Sequence, residues 1–325
     1  MDGRRRRDRW HESVVAVWAA RYLLARLGEA LVAVWGVVTI VFFVMRLIGD
    51  PVALLVPVGA SAAQMKAISH ALGLDQPLWR QYIDFLRHVV VGDFGQSFQF
   101  NRPAAQVVLE RMPATIELAL SAIVLGILIG GVAGAIAALR RGTLSELAVM
   151  TMALLGQATP VFWLGIMLIL FFAVRLHWLP TGGYGGITHL ILPAFTLAVF
   201  VSASIARLFR SSILDVLGED YVRTARSKGL LPITVFLWHT ARNALIPVTT
   251  MIGILAGELL GGSVVTETVF AWPGVGRLTV QAIENKDFPV VQAAVTLIAV
   301  IYVAVNFGVD LLYAVLDPRL RGQQP

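Results

Sequence analysis

Six stretches of the 325-residue chain are each apolar over a length that crosses a lipid bilayer, and they constrain everything else. A hydrocarbon core of about 30 Å takes about 20 helical residues. The stretches are residues 30–48, 118–139, 147–174, 190–206, 244–266 and 288–309. Arg46 falls near the end of the first, where a long side chain can snorkel, and Glu258 is the single charge inside the fifth. None alternates with period two, so helices are expected and a lipid-exposed barrel is not. Composition agrees: 14% of residues are charged, against about 25% in soluble domains. An ordinary cytosolic enzyme, a disordered chain and a disulfide scaffold are excluded. With no cysteine, thiol chemistry and cysteine-bound metals are excluded as well. The expected fold is an all-α integral membrane protein with six transmembrane helices.

The distribution of the 26 Lys and Arg orients it. With the N-terminus inside, 17 lie on the cytoplasmic side: seven before the first span, Arg140 and Arg141, six between spans four and five, and Arg319 and Arg321. Eight lie opposite, five of them in one long loop whose charge counts little. Both termini are therefore expected in the cytoplasm. The formal charge of +6 reads as a basic arm, residues 1–29, anchored on anionic lipid rather than on nucleic acid. Gly49-Asp50-Pro51 is no cleavage site, and the first span exceeds a signal-peptide core.

Between the spans, residues 49–112 form the expected external loop. Ser61 can cap a short helix with Met65, Ile68 and Leu72 on one face, stopped by Gly73. A second starts at Pro77, with Trp79, Tyr82, Ile83, Leu86 and Val89 at helical spacing and Gly92 as its stop. Their faces suit lipid or a protein partner equally. In span three, Gln157-Ala158-Thr159-Pro160 predicts a kink, either for packing or with Gln157 and Thr159 lining a polar path. The cytoplasmic loop 207–243 predicts a helix over 219–228, a break at Gly229 and a new helix from Pro232. Its small Ala225 and Gly229 suit close entry into another protein's groove.

Catalytic signals are missing. No G-x-x-x-x-G-K-[ST] occurs, so the chain has no recognisable phosphate cradle. His11-Glu12 lacks the second His of a metalloprotease, and Gly261-Gly262-Ser263 shares its span with no His. His177 and His189, twelve apart, read as interface residues sooner than metal ligands.

Several segments in order resemble the permease subunits of bacterial ATP-binding-cassette importers of the dipeptide, oligopeptide and nickel family. They are Gly49-Asp50-Pro51, Gly92-Asp93-Phe94-Gly95-Gln96-Ser97, Arg111-Met112-Pro113-Ala114-Thr115, Pro180-Thr181-Gly182-Gly183 and His189-Leu190-Ile191-Leu192-Pro193-Ala194. After span five the external motif runs from Glu267 through Trp272-Pro273-Gly274-Val275-Gly276 to Leu278; Asp310-Leu311-Leu312-Tyr313 and Asp317-Pro318-Arg319-Leu320-Arg321 close the series. Tyr221 to Gly229 is similar to the family's ATPase-coupling loop, although Arg223-Thr224-Ala225 departs from its usual Glu-Ala opening.

The resemblance implies an importer-type permease domain over 30–316 and a short cytoplasmic tail, 317–325, in a multi-pass protein of the bacterial inner membrane. It implies a second homologous permease, two ATPase subunits holding ATP and Mg²⁺, and an external, periplasmic solute-binding protein. The coupling residues would be Arg223, Thr224, Ala225, Arg226, Lys228 and Gly229. No catalytic, metal or cofactor residue is expected in the chain. Peptides are the expected solutes, with nickel, glutathione and opine-like compounds as alternatives. A membrane enzyme or autonomous channel is the contrasting class, separable by whether the lone chain works without ATPase partners. Glu258 departs from the family. In mid-span, a carboxylate costs about 2.5–3.5 kcal/mol on insertion scales, so it is expected to face a translocation cavity, the neighbouring permease or another polar group, or to remain protonated.

Overall fold

The computed structural model describes residues 2–48, 61–71, 73 and 75–316. Gly49-Asp50-Pro51, Leu72 and the motif at 317–321 lie outside the described residues. Among the described residues the chain is helical throughout, apart from one isolated bridge between Gln96 and Pro103. The helices are α1 (Asp2–Ile48), α2 (Ala62–Ala71), α3 (Leu78–Val90), α4 (Ala104–Leu139), α5 (Leu144–Ala158) and α6 (Val161–Leu168). There follow α7 (Ile187–Leu217), α8 (Asp220–Ser227), α9 (Pro232–Thr234), α10 (Arg242–Gly262), α11 (Val264–Val269), α12 (Val275–Glu284) and α13 (Phe288–Leu316). π-helical turns over Ile169–Arg175 and Val235–Ala241 extend α6 and join α9 to α10.

Five helical stretches are long and apolar enough to cross a membrane: Leu24–Leu47, Ala104–Leu139, Ile187–Leu217, Pro232–Leu260 and Phe288–Val309. Among the described residues a sixth candidate is a pair of helices that passes the same test together but is broken. Leu144–Ala158 and Val161–Arg175 meet at 102°, so the expected kink is a full break. Pro160 forces the residue before it out of the helical region, and Thr159 is extended at φ −75°, ψ 126°. The Thr159 hydroxyl turns back onto the Leu155 carbonyl at 2.7 Å.

Several boundaries differ from the apolar runs. The helix carrying the first span begins at Asp2, so the basic arm continues it. α4 starts at Ala104 and has 36 residues, about 54 Å at about 1.5 Å each. The expected cytoplasmic loop is mostly helix. α7 runs to Leu217, α8 takes Asp220–Ser227, and helical structure resumes at Pro232. Hydropathy marks only the lipid-immersed part of a helix, and these ends are polar.

α4 and α7 form the backbone of the fold through glycines spaced four apart. A methyl group on Gly130 would lie 2.5 Å from the Ser202 carbonyl oxygen, one on Gly134 2.7 Å from that of Ala206, and one on Gly126 would overlap Val201. Small residues at this spacing let two helix backbones touch, which is how membrane helices gain packing energy without a hydrophobic drive. Leu118, Ala122, Val201, Ile205 and Ile213 pack beside the contact, and Val248 and Leu255 of α10 close that core. A second core joins α1 (Val41, Met45), the start of α4 (Val107, Val108), α12 and α13. Gly253 likewise admits Val309 of α13 against α10.

Both small helices of the long loop form as expected. Gln64 N–H donates to Ser61 Oγ, and Ser61 N–H donates to Gln64 Oε1 at 2.9 Å, a reciprocal cap. Gly73 and Gly92 stop α2 and α3 at φ +65° and +75°. α3 lies on α1: Tyr82 meets the Phe42 ring edge-on, Phe85 lies tilted against it, and Tyr82 and Thr39 share a 2.7 Å hydrogen bond. Arg46 lies over the Phe42 ring and donates to Gln81 Oε1 at 2.7 Å. Its outlet from the apolar span is this side chain of α3. Leu78, Trp79 and Ile83 stay exposed on the other face.

Candidate coupling and translocation sites

Three places carry the residues singled out in the sequence. The first is α8, which hangs between α7 and α9. Val222 and Ala225 are buried against Val216, Leu217 and Val235, and the Tyr221 hydroxyl accepts a 2.9 Å bond from Asn243 Nδ2 of α10. Ala225 is thus small to suit its own chain's packing, and it faces inward. The opposite face presents Arg223, Thr224, Arg226, Ser227 and Lys228 to solvent. Gly229 ends the helix at φ +74° with open space around its α-carbon. Its requirement here is conformational, because a left-handed turn strains any residue bearing a β-carbon. Beside α8, Leu231, Ile233, Leu237 and Trp238 are exposed.

The second place is the motif after α10. Glu267 is fully buried, and its carboxylate is saturated with donors. Oε1 accepts from Thr115 Oγ1 and Ser263 Oγ, both at 2.9 Å, and Oε2 accepts from the Arg277 N–H at 2.9 Å. Gly274 and Gly276 lie directly on that carboxylate, where a β-carbon on either would overlap it. Trp272, also buried, donates Nε1–H to the Ala114 carbonyl at 2.8 Å, and the Val275 N–H donates to Thr115 Oγ1 at 2.8 Å. Glu267, Trp272, Gly274 and Gly276 therefore form one polar rivet between α4 and the 263–277 segment, and Ser263 is a donor in it. Gly182 lets the 180–186 loop press on the Phe270 backbone. Tyr184 of that loop meets the Trp272 ring edge-on and donates to Glu117 Oε2 at 2.8 Å. Glu117 holds the Tyr184 phenol above its ordinary pKa by that bond and its charge.

Sequence reasoning missed a second buried carboxylate. Asp287, at the entry to α13, accepts from Ser97 Oγ at 2.5 Å and from the N–H groups of Phe98 and Gln99. It fastens the Gly92–Ser97 motif to the last crossing. The available signal was an Asp directly before an apolar helix, which reads only as a cap.

The third place is a pocket of about 910 Å³ walled by α1, α6, α7, α10, α11 and α13. Ala33, Phe162, Phe200, Leu259, Ile298 and Tyr302 line it, together with Glu258. α10 stops at Gly262, so Glu258 lies one turn from the helix end. Its side chain is exposed. Gln157 and Thr159 are half-buried and absent from the lining; the residues just beyond the break, Val161 and Phe162, take that position. Among the described residues no group of three or more His, Asp or Glu could hold a metal ion.

Residues 126–322 match the model of the binding-protein-dependent transport system inner membrane component, and residues 19–119 match the N-terminal model of such membrane components. The chain belongs to this family. It is accordingly a transport subunit, multi-pass in the inner membrane. It is 41% identical to the di/tripeptide transport system permease protein of Pseudomonas aeruginosa (strain UCBPP-PA14), over 93% of this chain and 99% of that protein. It is 43% identical to the glutathione transport system permease protein of Escherichia coli (strain K12), over 92% of this chain and 98% of that one. Among solved structures, an inward-facing form of the MetNI methionine ABC transporter matches with a TM-score of 0.53 at 18% identity, covering 65% of this chain and 97% of that chain. That likeness identifies the importer-permease fold.

Proposed function

We propose that the chain is one permease subunit of an ATP-driven importer of di- and oligopeptides, with ATP and Mg²⁺ bound and hydrolysed on separate subunits. In this reading α8 and both termini face the cytoplasm, a homologous permease completes the translocation path, two ATPase subunits dock on α8, and an external binding protein delivers the solute. The observation that carries it is the construction of α8: one face anchored by Val222 and Ala225, the other presenting Arg223, Thr224, Arg226 and Lys228 to a partner.

The connections favour force transmission. Two residues separate α8 from α7 and four separate it from α9. α7 and α10 in turn wall the pocket through Leu197, Phe200, Gly257 and Glu258. A displacement of α8 by an ATPase passes into both walls, and the pocket changes its access from one side to the other. The likeness to the glutathione permease favours one second reading, in which the solute is that modified tripeptide. Uptake of labelled dileucine, trialanine and glutathione by cells that express the chain with its partner subunits, and no other peptide importer, separates the two. ATP-dependent uptake of the plain peptides is expected. Uptake of none of the three, or uptake that persists without the ATPase subunits, overturns the proposal.

A further inference from the structure

Glu258 is the one charged side chain on the pocket wall, and no ion pair or hydrogen bond neutralises it among the described residues. Its position makes the absence of compensation sharper. It lies one turn from the C-terminal end of α10, whose last turn holds no basic residue. The walls around it are apolar, with the aromatic rings of Phe162, Phe200 and Tyr302. Charge interactions are stronger against low-dielectric walls, and aromatic faces attract cations. A cation in the pocket would satisfy the carboxylate and the ring faces together. An anion or a wholly apolar occupant would satisfy none of them.

We propose that this pocket recognises a primary ammonium group carried on an apolar body, with Glu258 as its counter-ion, and that the occupant is a short apolar peptide presenting its free amino terminus. The assignment of the occupant rests on the peptide-import reading; the cation subsite rests on the pocket. Aminophospholipid headgroups offer the same chemistry and are the competing source.

The test uses the full-length chain purified together with its partner subunits. The probes are leucyl-leucinamide, which carries an ammonium group, and its N-acetyl derivative, which has the same body and no charge. Wild type should bind the free amine about tenfold more tightly, as loss of one charge-assisted contact requires. Glu258→Gln, equal in volume, should bring the ratio close to one while leaving affinity for the acetylated probe unchanged. Glu258→Asp, which keeps the charge, should keep the preference. Equal binding of both probes by wild type, or a ratio preserved in Glu258→Gln, overturns the proposal. So does loss of bound phosphatidylethanolamine from Glu258→Gln, read by native mass spectrometry, with both probe affinities unaltered. Dileucine uptake by the same cells separates the two readings: uptake with no effect of Glu258→Gln on the ratio removes the cation subsite alone. A collapsed ratio without any peptide uptake leaves the subsite standing and removes the peptide as occupant.

Discussion

Thr115 and Glu267 lie 152 residues apart in the chain and 2.9 Å apart in space, hydroxyl to carboxylate. The same hydroxyl accepts the Val275 N–H, so a single side chain of α4 holds both ends of the segment that follows α10. Buried donors and acceptors are costly to leave unmade. Thr115→Val keeps the shape and orphans the Val275 N–H, and should destabilise the protein by about 1–3 kcal/mol. Thermal unfolding in detergent measures it; an unchanged midpoint would mean that the contact carries no stability.

The glycines of α4 offer an internal control. Gly130 meets the Ser202 carbonyl directly, whereas Gly131 has nothing within 4 Å of where a β-carbon would stand. Gly130→Ala must push α7 away and should cost about 1–3 kcal/mol. Gly131→Ala should be neutral or should stabilise by up to about 1 kcal/mol. If the two variants unfold alike, the backbone contact between α4 and α7 is not what fixes their distance.

At Gly229 the backbone geometry sets the expectation. With φ at +74°, Asn can occupy the position and Val cannot without strain. Both variants should insert in the membrane normally, since the residue lies beyond the crossings. Gly229→Asn should keep most of the uptake, and Gly229→Val should lose most of it together with ATPase co-purification. Full activity in Gly229→Val would remove the turn from the coupling mechanism.

Topology is open to a direct reading. The count of 17 Lys and Arg against eight favours both termini inside. A reporter active only in the cytoplasm should work when fused after Pro325. A silent fusion at that position, with a reporter active only outside the cytoplasm working there instead, would discard the six-span reading with both ends inside.

Five of the six apolar runs return as single helices long enough to cross a bilayer, and the third as a bent pair, because hydropathy and bilayer thickness are properties of sequence alone. The ends were harder. Residues 104–117 and 207–217 are helical yet interrupted by charges, Glu110, Arg111 and Glu117 in one and Arg207, Arg210 and Asp215 in the other, so no continuous apolar run separates them from loop. Pro160 announced a disturbance, but whether a helix bends or breaks depends on what packs beside it. The 267–276 motif stood out by resemblance, whereas its function as a buried rivet needed the position of Thr115, far away in sequence. Asp287 was overlooked for the same reason: its partners, Ser97 to Gln99, belong to the opposite end of the chain. Glu258 was visible as a lone charge, but its place near a helix end depended on where α10 stops.

The short connections on either side of α8 have a mechanical consequence. A drive train transmits only what its slack does not absorb, and two residues between α7 and α8 leave almost none. In the proposed coupling, docking strength and stroke are therefore separable properties of this chain. A few flexible residues inserted between Leu217 and Asp220 would leave the exposed face of α8 as it is, so an ATPase would still bind and still turn over. In that coupling the α7 wall of the pocket would no longer feel it, and only the connection through Pro232 would still pull.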